Sequence, residues 1–345
     1  MSDTIGNITG SGKEAKENAK ADAARRARAA NILTPREAQT GTWDAEKVLK
    51  TTLGGKTRDI TGEDLAAFRS NVKAVADNYQ SGITPKQVIS LSLENRRERA
   101  RKEIHIAIPV YGSTETERNV PSAVVRFTTN AGPDCKRGTT RHHVTVQFMS
   151  FFAAVNASGM VSKKAAQWLR KEKIKFDCDC EDHTYRFRFI SSSGKFAYGR
   201  VETGYPKEKN PRLQGVACKH VIRVMQQIDG SATVISFLSK MIDKSREHIT
   251  GKAIAHTTKK QAQSIENRQK AKQGQIKTDA QKRAERVAAQ SRKNLAAAVV
   301  QAKAPKKQKR RPSNKDNVAA MATLLASGLS QEQIIALIAQ AQGTS

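Results

Sequence analysis

The sequence predicts an α+β domain with a small, mostly antiparallel sheet, flanked by basic arms that are disordered or helical. Three observations carry that prediction. Two capped, amphipathic helical patterns precede a series of strand candidates, the best of those candidates alternates apolar and polar residues, and the ends of the chain are rich in Ala, Lys, Arg and Ser but poor in aromatic residues. Alternation at a period of two places successive side chains on opposite faces, which marks a sheet with one face on a core. Over 345 residues only 38% are hydrophobic and 5% aromatic, so much of the chain is expected to lie outside any core.

Residues 1–40 hold Ile5 and Ile8 as the large apolar side chains before Ile32 and Leu33, and read as a disordered basic arm with helical potential near residues 19–30. Gly55-Lys56-Thr57 invites a phosphate-loop reading. It is rejected, because Lys50 stands where that motif needs glycine and no apolar strand leads in. A core domain is expected over residues 41–248. Within it Thr61 can cap a helix carrying Leu65, Phe68, Val72, Val75 and Tyr79 at spacings of three and four, closed by Gly82. Thr84-Pro85 opens a second helix in cap and first-turn order. The charge block at 94–103 reads as a solvated helix face with internal ion pairs. Strands are expected at 104–111, 124–129 and 142–152, then a helix at 162–172 anchored by Trp168 and Leu169, and a closing helix over 233–242.

Three of the four cysteines fall in two clusters, Cys178-Asp179-Cys180 and Cys218-Lys219-His220, the second directly before the helical run that starts at Val221. Residues two apart in an extended chain share a face, so Cys178 and Cys180 can reach one ion, while Cys218 and His220 would sit on a first helical turn folded back over the strands. Three thiolates and an imidazole fill a tetrahedral Zn²⁺ shell, which makes the ion structural, one per chain. The competing reading is four residues near one another by chance, with buried thiols acting as small hydrophobes; the charged neighbours Asp177, Asp179 and Lys219 count against it. His183 is an alternative ligand that reads better as a supporting or surface group, and Cys135 is a spare thiol. A second site from Cys135, His142 and His143 lacks a short-spaced pair with a fourth partner, so strand-end polarity is the simpler account.

The arrangement of Cys178, Cys180, Cys218 and His220 resembles the SWIM-type zinc finger, over about fifty residues. That likeness implies a ββα-like zinc module, set here at residues 175–228 with a spacer longer than usual that calls for an inserted hairpin or loop. In the spacer Tyr185-Arg186-Phe187-Arg188-Phe189 alternates ring and base at strand period. The aromatic run after Cys-x-Cys and the Asn210-Pro211 turn before Cys-Lys-His also look like zinc-binding proteins of tailed bacteriophages. The likeness implies a virion-associated role and a place in the host cytoplasm or the virion.

The net charge is +29, and residues 252–315 alone hold 19 Lys or Arg against three acids, an excess of 16. Phe237 is the last aromatic residue, so the basic, helix-prone linker at 249–315 cannot stack bases, and its densest cluster, Lys306, Lys307, Lys309, Arg310 and Arg311, would meet nucleic acid by charge alone or serve as a solubilising linker. Residues 316–345 are expected to form a helical hairpin, broken at Gly328 with Ser330 and Gln333 as a capping box, too small to stand alone and so docked on a protein partner or a second copy. A helix-turn-helix reader is disfavoured, since the second helix offers no Arg, Lys or Asn. No secretory leader or membrane-length apolar run is found, and the cysteines do not form a secreted disulfide pattern, so a reducing, cytoplasmic setting is expected.

No catalytic residues are assigned: serine-elbow, zincin and phosphate-loop motifs are all missing. Two function classes follow. The first is a non-enzymatic, zinc-binding structural or interaction protein whose basic arms contact nucleic acid or partner subunits. The second is a DNA- or RNA-binding factor that uses the zinc module itself, with Arg186, Arg188, Arg200, Lys207, Lys209 and Arg212 lining the contact.

Overall fold

The structure is a computed structural model that describes residues 11–27, 32–42, 47, 49–79, 82–117, 120–136, 138–248, 252–271, 283–284, 286–294, 314–328 and 330–342. The chain divides into two units, Met1–Gln281 and Lys282–Ser345. The first unit is α+β and is organised on a five-stranded antiparallel sheet.

Its helices form where local chemistry satisfies their first turns. Thr61 accepts a hydrogen bond from the Asp64 backbone and Asp64 accepts one from that of Thr61, a reciprocal cap that starts α3 (Gly62–Asn78). It follows α1 (Ser11–Ala27) and α2 (Pro35–Thr40), the latter with a cap of the same kind from Thr34 and Glu37. Thr84 and Gln87 repeat the device before α4 (Pro85–Leu91), with Pro85 in the first turn where its missing N–H costs nothing. Residues 94–103 form α5 (Glu94–Glu103), and its ion pairs are not all internal: Arg96 meets Asp182 and Glu103 meets Lys219. The hairpin of β1 (Lys50–Thr51) and β2 (Arg58–Asp59) carries Gly55-Lys56-Thr57 in its turn, which leads into a strand and not into a helix.

The sheet comprises β3 (Ala107–Glu117), β4 (Val120–Asn130), β5 (Arg141–Phe148), β6 (Ile174–Cys178) and β7 (Ile254–His256), in the order β6-β5-β4-β3-β7. The expected strand at 104–111 thus begins and ends later. The strand expected to run to Phe152 stops at Phe148, because α6 (Phe151–Asn156) begins there. One face, including Val125, Phe127, Val144, Val146, Phe148 and Phe176, belongs to the main core. Onto it pack α9 (Lys219–Gly230) and α10 (Ala232–Glu247). Between β5 and β6, α7 (Ser162–Leu169) buries Ala165, Ala166 and Leu169, whereas Trp168 is 38% exposed and is not an anchor. Gly112 on β3 is where α10 comes closest: a Cβ there would stand 2.5 Å from Met241 Sδ and 2.8 Å from Phe237 Cε1.

Two segments expected to lie outside the domain belong to it. Residues 252–271 supply β7, which pairs with β3, and α11 (Lys259–Ala271), whose Ala262 and Ile265 close a small second core on Ile106, Ile108 and Val110. Two apolar side chains are enough there, because β3 and the residue before it present Ile106, Ile108 and Val110. At the other end, α1 docks through polar groups: Glu14 pairs with Arg141, Asn18 donates to Asp179 at 3.0 Å, and Asp22 pairs with Arg188 at 3.1 Å. Residues 28–30, the end of the helix expected there, lie outside the described residues.

The second unit contains α12 (Asn314–Ala326) and α13 (Gln331–Gln342), with Gly328 at φ +87° between them and Ser330 and Gln333 capping each other as expected. Ile334 is buried, while Leu325, Ile335 and Leu337 are exposed. Among the described residues, no helix is long and apolar enough to cross a membrane.

Candidate metal centre

β6 ends at Cys178 with Ile174, Phe176 and Cys178 buried on one face. The chain turns at Asp179, whose carboxylate accepts from the His143 backbone at 2.9 Å and whose own N–H donates to the His143 carbonyl at 3.2 Å. This pair of bonds holds the loop against β5, and Cys180 follows Cys178 into the interior. From the other side Cys218 occupies the N-cap of α9 and His220 its first turn. The helix is anchored by Val221, Ile222, Val224, Met225 and Ile228. At about 1.5–3 kcal/mol per buried side chain, that anchorage is on the order of 10 kcal/mol, ample to fix the two donors.

The thiols of Cys178, Cys180 and Cys218 and a ring nitrogen of His220 all lie within 4.8 Å of one another, and all four residues are buried. The three thiols are free, with no disulfide among them. Tetrahedral bonds of about 2.3 Å give sulfur–sulfur edges near 3.8 Å, so small side-chain adjustments bring these donors onto one ion. His220 is 1% exposed and neither ring nitrogen makes a hydrogen bond. Leaving such a group unsatisfied costs about 1–3 kcal/mol, which coordination would remove. Burial pushes the Cys178 and Cys180 thiols up and the His220 imidazole down. Cys218 is pushed down despite its burial, because the Cys178 and Cys180 thiols turn toward its sulfur and the His220 ring stands close by. The donors therefore fit a borderline-soft cation with a closed N/S shell, which would displace the protons that burial retains.

Around the cluster the structure departs from the expected strand at Tyr185 to Phe189. Immediately after Cys180 the chain coils: the Thr184 N–H donates to the Cys180 carbonyl, a single wide turn at His183–Phe187 follows, and α8 (Arg188–Ser193) completes the insert. The alternation of rings and bases is not an in-and-out pattern, because Phe187, Arg188, Phe189 and Ile190 are all buried. The extended part of the insert is reduced to one parallel bridge between Phe176 and Ala197.

Arg188 is 2% exposed and cannot reach a nucleic acid. Its guanidinium donates to Asp177 at 3.0 Å, to Asp22 at 3.1 Å and to the Cys178 carbonyl at 3.0 Å, tying α1 and α8 to the strand that carries the first ligand. Lys207 is buried as well, so it too is removed from the expected contact surface, and Arg200 is committed to Asp22 and Asp177. Arg186 pairs with Asp182 and stays partly exposed, while Lys209 and Arg212 are exposed. Lys306, Lys307, Lys309, Arg310 and Arg311 lie outside the described residues. His183 is fully buried 3.3 Å from Asp177, donates its backbone N–H to the Cys180 sulfur, and stands outside the donor cluster, a supporting group rather than a surface one.

His143 points toward Thr128 and Glu14, away from Cys135. His142 instead joins Cys135, its Nε2 3.2 Å from that sulfur and its Nδ1 3.1 Å from Asp179. Both residues line a cavity of about 630 Å³ that also reaches His220, Arg96, Arg99 and Lys219. Sequence reasoning missed the docking of α1, and a signal was present: Glu14, Asn18 and Asp22 recur at intervals of four, one stripe on an otherwise basic helix. No protein-family model, curated protein or solved structure matches the chain.

Proposed function

We propose that the Cys178, Cys180, Cys218 and His220 cluster holds one structural zinc ion, and that the chain is a non-enzymatic interaction protein whose basic arm contacts nucleic acid or a partner subunit. The observation that carries this reading is the buried, closed set of four donors with an unpartnered His220. Four N/S ligands leave no open position for substrate at that ion, which supports scaffolding over hydrolysis. The excess of basic residues after residue 252 supports a polyanionic partner, and exposed Leu325, Ile335 and Leu337 support docking of the C-terminal hairpin on a protein or on a second copy. The likeness to phage zinc-binding proteins supports a place in a virion.

The test begins with metal content. The chain as purified is expected to carry zinc that is lost on C178S, C180S, C218S or H220A but kept on H183A, and chelation is expected to unfold the first unit, because binding to a closed site is folding energy. Retention of zinc by C178S would refute the reading. A second reading, direct contact by the zinc module, is favoured by the partly exposed Arg186 and the exposed Lys209 on the cavity wall and by the exposed Arg212. Deleting residues 282–345 separates the two: loss of polynucleotide retention favours the arm, and undiminished retention favours the module.

A further inference from the structure

The loop between β4 and β5 and the turn after β6 bring a second donor set to the wall of the buried cluster. Cys135, His142 and His220 offer ligand atoms that all lie within 4.8 Å of one another. Cys135 and His142 are half-buried on the 630 Å³ cavity and His220 lies at its inner end. The distance from Cys135 Sγ to His142 Nε2, 3.2 Å, is within a few tenths of an ångström of the edge of about 3.5 Å expected for sulfur and nitrogen on one tetrahedral ion. The far nitrogen of His142 faces the Asp179 carboxylate at 3.1 Å, the carboxylate–histidine arrangement that orients metal-bound imidazoles. The rings of His142 and His220 are 4.5 Å apart.

A separate observation points the same way. His220 is buried with both ring nitrogens unpartnered, and a single ion can satisfy only one of them. The other needs a hydrogen-bonding group or a second cation, and Cys135 and His142 bring further ligand atoms within 4.8 Å of the ring.

We propose that Cys135, His142 and His220 form a second site for a borderline-soft divalent cation, with His220 bridging it to the ion of the Cys178–Cys180–Cys218 cluster. The proposal rests on that first reading, since His220 is shared. Binding the second ion releases the proton held between the Cys135 sulfur and His142 Nε2 and the proton of the His220 ring, which then coordinates through both nitrogens. Three protein ligands leave a fourth position that opens on the cavity, the arrangement of an exchangeable or reactive metal rather than a structural one. Glu181, Asp182 and Asp134 on the cavity wall offset part of the positive charge that Arg96, Arg99 and Lys219 bring to it.

The experiment uses the full-length, zinc-loaded chain titrated with Co²⁺, which reports thiolate ligation by a near-ultraviolet charge-transfer band and tetrahedral geometry by visible absorption. One further cobalt per chain is expected, with the zinc retained. C135S and H142A are each expected to weaken cobalt uptake at least about tenfold while leaving one zinc and an unchanged circular dichroism spectrum. Cobalt uptake undiminished in C135S, uptake that expels the zinc, or no uptake at all would each overturn the bridged site. The first reading fails by a different result, zinc retained in C178S, so the two are told apart.

Discussion

Replacing Arg188 with methionine removes three donated hydrogen bonds while keeping most of the side-chain volume. Asp177 then keeps Arg200 and His183, Asp22 keeps Arg200 and the more exposed Arg25, and the Cys178 carbonyl loses its donor. Removing one partner from a buried ion pair costs about 3–5 kcal/mol, because the remaining charge stays desolvated. Methionine leaves little cavity, so the packing contribution is small beside that figure. For a unit of this size the loss corresponds to a fall in Tm of about 6–20 °C. Urea unfolding of the metal-loaded chain is the assay, with the slope expected to be unchanged and the midpoint lowered. D22N breaks only one arm of the cluster and is expected to cost less, and the R188M/D22N double variant should fall short of the sum of the two, since both act on one network. In parallel, trypsin should cut α1 at Lys16 and Lys20 faster in either variant. A loss below about 1 kcal/mol in R188M, or strict additivity with D22N, would refute the account of Arg188 as the tie between α1, α8 and the metal strand.

Further outcomes follow from other sites. Burial works against the charge of Glu103, but hydrogen bonds from Arg99 and Lys219 hold its carboxyl at about 2, against an ordinary 4.5. Its contribution to stability is thus present above pH 4.5 and lost as the pH falls through about 2. The difference corresponds to about 3 kcal/mol, which solvent around the partly exposed cluster cuts to about 1–2 kcal/mol. Acid unfolding followed by circular dichroism should show this component in the parent and not in E103Q. G112A should destabilise by about 1–3 kcal/mol in thermal melts, because the new methyl meets Met241 and Phe237 of α10; a neutral result would show that the two elements separate freely. Deleting residues 282–345 should leave the melting of the first unit unchanged, as expected of a separate compact unit.

The donor cluster was legible from the sequence because ligand spacing is local: Cys-x-Cys and Cys-x-His each place two donors by backbone geometry alone, and an apolar helix after His220 says which way the second pair folds. The caps at Thr61 and Thr84 were legible for the same reason. What was not legible depended on partners far along the chain. Arg186 and Arg188 look alike in sequence, yet one is on the cavity rim and the other is sealed under α1 by Asp22, 166 residues away. Residues 252–271 carry too few large apolar side chains to announce a core element, and they join the domain because Ile106, Ile108 and Val110 supply the apolar surface they cover. Sequence reasoning groups Cys135 with His142, which it meets, and with His143, which it does not; the nearness of His220 to Cys135 and His142 is set by the fold.

The seam between β3 and β7 has a consequence for biosynthesis. Tyr111 stands opposite His256 across it, so one margin of the sheet stays bare until a further 145 residues have left the ribosome. At about 5–20 residues per second, that is an interval of roughly 7–30 s in which unpaired backbone groups on β3 can recruit a neighbouring nascent chain. The irregularity between Pro109 and Tyr111 kinks the exposed margin and makes it a poorer template for such pairing.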